Sequence, residues 1–242
     1  MVLQLIIYAV ISFFAATIVH EFGHVLAGLM NGWKLFLMVV GPFKLYRENI
    51  NGPISFGIEK NPSLWGGCGG TAPEKLDDSI GKVFARILIA GPIASLILSV
   101  VGIAAFIFTK HEFLLMLGMV ALGEGVACIL PMNIKTGILY NDGTRFKRII
   151  SNGKEAEEEK AIICLALSEM INNKEEMELM EDRLIEVLTD SDDPSYRYKG
   201  LFYAYMKAKE NGDSAKMDEM KAEAELIRSE VSKYIADTSV MS

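Results

Sequence analysis

The chain has 242 residues, 51% of them hydrophobic, and a formal net charge of −7. Residues 1–144 carry nine Lys/Arg and nine Asp/Glu, whereas residues 145–242 carry fifteen and twenty-two, so the whole negative surplus lies in the C-terminal part. No basic patch suits nucleic acid, and Cys68, Cys128 and Cys164, far apart and without a C-x-x-C pair, exclude a disulfide framework and fit a reducing compartment. The pattern is that of a membrane half followed by a soluble acidic half.

The first segment, from about Val2 to Met30, is apolar enough to cross a bilayer; up to Val19 its polar side chains are Gln4, Ser12 and Thr17 besides Tyr8. No Lys or Arg precedes it, which argues against a signal peptide ending near Ala15-Ala16. Its second half contains His20-Glu21-Phe22-Gly23-His24, the pattern H-E-x-x-H. Positions i and i+4 share one helix face, so two imidazoles can grip one metal ion with the glutamate beside it as general base. Ionisable groups inside a membrane helix are expensive and by default functional.

The following loop is not helical. Lys34–Val40, Phe43–Glu48 and Ile54–Glu59 are short and rich in β-formers, and Asn51-Gly52 signals a hairpin. Trp65-Gly66-Gly67-Cys68-Gly69-Gly70 reads as a flexible stretch. A small sheet beside a membrane metal site can cover it or offer a strand edge to an extended peptide. Two more spans run from about Val83 to Thr109 and from about Phe113 to Leu130, each near the twenty residues that a ~30 Å hydrocarbon core requires. Basic residues cluster in the loop 31–82 and again after the third span. The N-terminus is therefore expected outside and the C-terminal half in the cytosol. Residues 154–237 read as four amphipathic helices, near 154–171, 174–190, 195–210 and 214–236, with breaks at Asn172-Asn173, Asp190–Pro194 and Asn211-Gly212-Asp213. Their lengths suggest a tetratricopeptide-like array, and Glu157-Glu158-Glu159 reads as a solvated helix N-terminus.

A catalytic zinc site usually has three protein ligands plus water, so a third is needed. His111 sits in the outer turn, on the wrong side. Glu124 lies in the middle of the third span. Asp142 follows a broken stretch, Pro131 to Asn141, whose irregular backbone could return a carboxylate to the first span. These physical arguments leave Glu124 and Asp142 level.

The arrangement resembles the site-2 protease family of intramembrane zinc metalloproteases over roughly residues 15–147. The resemblance rests on His20-Glu21-x-x-His24, on Gly91-Pro92-Ile93-Ala94-Ser95 and on Pro131 followed by Asp142-Gly143. It implies a core of three transmembrane helices and Asp142 as the third zinc ligand. Family members usually carry asparagine where Ser95 and Cys128 stand, and those asparagines help hold substrate; Ser95, Cys128 and Asn133 are therefore the candidate substrate-binding positions. Glu124 becomes a candidate for supporting the site from behind the ligands.

The expected fold is an all-α multi-pass membrane protein. A three-helix metalloprotease core occupies residues 1–150, with a β-hairpin insert at about 34–60, and a cytosolic helical domain occupies 151–242. The expected activity is zinc-dependent hydrolysis of a peptide bond in or next to a transmembrane segment, signal remnant or leader peptide. His20, His24 and Asp142 would hold one Zn2+ and Glu21 would act as base. The expected partners are a membrane-embedded protein or peptide substrate and a protein that docks on the helical domain. The alternative is a non-catalytic relative that binds metal or peptide in the membrane, for which Glu21 would be dispensable.

Overall fold

A computed structural model describes residues 2–132, 135–136, 139–168 and 174–231. Asn133, the break expected at Asn172-Asn173 and the end of the last expected helix lie outside these residues. The chain divides into two compact units. The first runs to Met132 and resumes over Asn141–Lys147, and the second takes the short segment between them and continues from Arg148 onward.

Three helices dominate the first unit: α1 (Val2–Met30), α2 (Ile80–Thr109) and α3 (Glu112–Ile129). All three are long and apolar enough to cross a membrane; at 1.5 Å per residue, α1 reaches about 44 Å. Their patterning is inverted relative to a water-soluble bundle. The buried stripe of α1 is made of Ser12, Ala16, Thr17, His20, Glu21, Gly23, His24, Val25 and Gly28. Ile11, Phe14, Ile18 and Phe22 point outward, and Phe108 on α2 is 87% exposed. Large apolar side chains outside and small or polar ones inside are what a lipid surround demands.

Small residues let the helices approach. A Cβ on Gly23 would lie 2.7 Å from the Ala90 carbonyl oxygen, and one on Gly118 would lie 3.0 Å from the Ile103 nitrogen. Pro92 sits inside α2, where its missing N–H is tolerated because neighbouring helices shield the freed backbone.

Between α1 and α2 stands an antiparallel sheet of β1 (Lys34–Val40), β2 (Phe43–Tyr46), β3 (Ser55–Ile58) and β4 (Cys68–Ala72), in the order β3-β2-β1-β4. The hairpin expected at 34–60 is present, but it is part of a larger sheet. The glycine-rich stretch expected to be flexible contains β4, which pairs with β1 from Lys34↔Ala72 to Val39↔Cys68. Its glycines serve close approach rather than mobility: a Cβ on Gly28 of α1 would collide with Thr71, and one on Gly69 would lie 2.8 Å from the Glu21 carbonyl oxygen. Asn51-Gly52 lies within a longer connection between β2 and β3, where the Gly52 N–H closes a turn on the Asn49 carbonyl at 2.9 Å. At the β1–β2 turn, Gly41 (φ +56°) rests against the Phe14 ring, beside the middle of α1.

The broken stretch after Pro131 carries β5 (Lys135–Thr136) paired with β6 (Leu139–Tyr140), and then α4 (Asp142–Ile150), a helix that the sequence pattern does not announce.

In the second unit α5 (Lys154–Ser168), α6 (Lys174–Thr189), α7 (Pro194–Glu210) and α8 (Ser214–Ile227) pack in consecutive pairs. Asp193 caps α7 by accepting from the Ser195 N–H, with Pro194 in the first turn, and Asp213 caps α8. Alternate helices meet little, whereas stacked repeats would bring them together, so a tetratricopeptide array is not supported.

The acidic run of α5 also differs from expectation. Glu157 is exposed, but Glu158 and Glu159 are buried. Arg148 donates to Glu158 at 2.6 Å, its guanidinium lies 4.5 Å from the Tyr196 ring centroid, and the Tyr196 hydroxyl donates to Glu159. The carboxylates are buried because a cation and a phenol satisfy them. Removing the cation strands both charges. Arg148→Ala is expected to destabilise the second unit by about 3–5 kcal/mol, seen as a lower urea midpoint for loss of helical circular dichroism in the full-length protein.

Candidate metal centre

The i, i+4 spacing on α1 does bring the two histidines together, and the start of α4 supplies a carboxylate. His20 Nε2 and His24 Nε2 are 3.2 Å apart. Asp142 Oδ2 lies 3.3 Å from the first and 3.5 Å from the second. His20, His24 and Asp142 are the one such cluster among the described residues. The spacing matches the donor set of a zinc site, because tetrahedral bonds of 2.0–2.1 Å put ligand atoms about 3.3–3.4 Å apart. Two imidazole nitrogens and a carboxylate oxygen are a donor set that suits Zn2+.

Both histidines are held from behind. His24 Nδ1–H donates to the Ile87 carbonyl at 2.7 Å, which leaves the neutral ring's Nε2 bare and turned to the cluster. Gly91 makes room for that ring, since a Cβ there would overlap the imidazole. His20 Nδ1 is 2.9 Å from Ser95 Oγ on α2, and Ser95 Oγ is 3.1 Å from Glu124 Oε2 on α3.

Asp142 is positioned by residues that sequence reasoning missed. Asn141 Nδ2 donates to the Ala127 and Leu130 carbonyls at 2.8 and 2.7 Å, two acceptors left open at the C-terminal end of α3. Asn141 Oδ1 accepts from the Thr144 N–H at 3.2 Å, capping α4. The Gly143 Cα abuts the Ile129 carbonyl so closely that no Cβ fits. The signal that could have found this helix start is Asn141, a favoured N-cap residue, directly before an acidic first turn.

Glu21 is buried on the same turn and faces β4. Cβ atoms on Gly67 and Gly69 would press against its two carboxylate oxygens, so the chain approaches with bare backbone just before β4 and at Gly69 within it. Burial, with the Glu21 charge adding to it, pushes the neighbouring Cys68 thiol up to about 11, so it offers no thiolate at neutral pH.

Glu124 contacts Ser95 and is not among the clustered ligands. Ser95 is fully buried against His20. Cys128 contributes its backbone carbonyl to the surface under Gly143. His111 begins α3 with its ring 6.0 Å from Tyr8, about 18 Å along α1 from His20.

A two-histidine, one-aspartate cluster beside three helices apolar enough to cross a membrane fits the class of membrane metalloproteases. The family model of peptidase family M50, the site-2 protease family, matches residues 8–233, and the chain belongs to that family. Proteases of this family are zinc-dependent. No curated protein and no solved structure matches the chain.

Gly91→Ala is expected to displace the His24 ring and to lower zinc affinity by about 10–100-fold, the range for losing a ligand's support. Asn141→Ala is expected to weaken zinc by a similar factor, with a cap loss of about 1 kcal/mol. Competition against a chromophoric chelator measures both.

Proposed function

We propose that the protein is an intramembrane zinc endopeptidase that cleaves a peptide bond in or next to a transmembrane segment, signal remnant or leader peptide. The observation that carries this reading is the convergence of His20, His24 and Asp142 at 3.2–3.5 Å with Glu21 on the same helical turn. His20, His24 and Asp142 would hold the ion, which when bound supplies Lewis acidity and a water whose pKa falls toward about 7.

Glu21 takes a proton from the attacking water onto its carboxylate and returns it to the nitrogen of the leaving amine. Water approaches from the C-terminal end of α1, the cytosolic side in the orientation given by the basic loops. A helical substrate must unwind first, because helical hydrogen bonds shield its carbonyls. β4 is the terminal strand of the sheet, and its Gly69 backbone adjoins Glu21. An extended substrate segment pairing with that edge would run past the base. The second unit is a partner-binding module in this scheme.

Glu21→Gln keeps the three ligands and removes the base, so it is expected to retain zinc and trap substrate. The test compares proteins that co-purify with wild type and variant from native membranes, by mass spectrometry. A single-span protein or peptide enriched intact on the variant, and shortened only in wild-type cells, supports proteolysis. Identical partners without a shortened product support the non-catalytic relative instead.

Gly69→Ala pushes on the Glu21 main chain and carboxylate without touching a ligand. It is expected to keep stoichiometric zinc while turnover of the trapped substrate falls about 100-fold, the scale of a ~1 Å misplacement.

A further inference from the structure

The zinc reading leaves a hydrogen-bonded chain unexplained. Ser95 is 0% exposed, and its hydroxyl touches two groups: His20 Nδ1 at 2.9 Å and Glu124 Oε2 at 3.1 Å. These three residues come from three different helices, α1, α2 and α3. Hydrogen counting gives the chain a direction. A carboxylate only accepts, so the single Ser95 proton must go to Glu124. Ser95 Oγ can then only accept from His20, which requires a hydrogen on Nδ1. A neutral His20 so oriented has a bare Nε2, the atom that lies 3.2 Å from His24 Nε2 and 3.3 Å from Asp142 Oδ2. With Ile87 setting His24 in the same way, both imidazoles present lone pairs to one point.

We propose that Glu124 and Ser95 form a proton-ordered relay that fixes the His20 tautomer, and that both are positioning residues for the metal rather than ligands or substrate contacts. The relay gives the carboxyl group in the middle of α3 a task. Without Glu124, the Ser95 hydroxyl is free to rotate and donate to Nδ1, which favours the tautomer whose Nε2–H blocks the metal position. A hydroxyl spans the gap between a histidine and a carboxylate by accepting from one and donating to the other.

The proposal rests on the zinc reading, so its test has one readout that needs no metal. Metal-free protein labelled with 15N-histidine is examined by NMR at alkaline pH, with the His20 signals assigned by their loss in His20→Gln. Wild type should show Nδ1 protonated and Nε2 bare. Ser95→Ala and Glu124→Ala should both shift population toward Nε2–H, and Ser95→Thr, which keeps the hydroxyl, should restore the wild-type pattern.

In parallel, zinc affinity is measured by chelator competition, with Asp142→Ala as the ligand control. Ser95→Ala should lose about 10–100-fold. The double variant should be no weaker than Ser95→Ala alone, because Glu124 acts through Ser95. An unchanged tautomer pattern in both single variants overturns the relay. So does a further loss of zinc when Glu124 is removed from the Ser95→Ala background, which would give Glu124 a direct role. A wild type that shows the tautomer response but binds no zinc keeps the relay and overturns the zinc reading.

Discussion

Three lone-pair atoms held within 3.5 Å of one another beside three apolar helices are costly to bring together, and a cation among them would offset that cost. Much of the first unit serves to keep that arrangement in place. Two of the atoms come from one helical turn and are cheap to align. The third comes from a segment more than a hundred residues later, and its delivery shapes the local structure. Asn141 ties the start of α4 to the open carbonyls at the end of α3. Gly143 allows that contact, since any Cβ would strike the Ile129 carbonyl. The glycine of the Asp142-Gly143 pair is thus a packing requirement on the ligand's own helix. Gly91 plays the same part for His24.

The bundle is built inside out, and this lets a polar site exist there. The buried stripe of α1 carries the hydroxyls, histidines and glutamate, while its phenylalanines and isoleucines face outward. In water such a surface would drive association; in hydrocarbon it costs nothing. Low polarity around the site in turn raises the penalty for any unpaired group. That is why His24 and His20 each have a partner behind them, and why a ring flip or a wrong tautomer would be costly.

The spans are legible in the sequence because an unbroken apolar run of about twenty residues matches the thickness of a bilayer core and little else. The histidine pair is legible because i, i+4 spacing is a direct statement about one helix face. Spacing does not separate Asp142 from Glu124, since both follow the motif at distances that only the tertiary path decides. The resemblance points to Asp142, and the geometry puts Asp142 beside the histidines while Glu124 meets Ser95. β4 is hidden because glycine weakens strand propensity. The glycines of Cys68–Ala72 answer to the close approach of α1, which no local window contains. Glu158 and Glu159 look solvated for the same reason: a charge looks exposed until its partner, here Arg148, is placed beside it.

The sheet extends the inside-out logic beyond the helices. Cross-strand pairs Phe43↔Ile58 and Leu45↔Phe56 put four apolar side chains on one face of the β2–β3 hairpin, all exposed, with Phe43 and Phe56 stacked. The opposite face carries Lys44, Tyr46 and the Lys44–Glu59 ion pair. The β1–β2 turn meets Phe14, six residues before His20, hence about 9 Å farther toward the N-terminal end of α1. The β1–β2 turn therefore lies alongside the span rather than at its end. At the other edge, Gly69 of β4 brings bare backbone against Glu21. One sheet thus presents large apolar side chains on its β2–β3 hairpin and bare backbone at Gly69 toward the base, where a side chain would press on the Glu21 carboxylate.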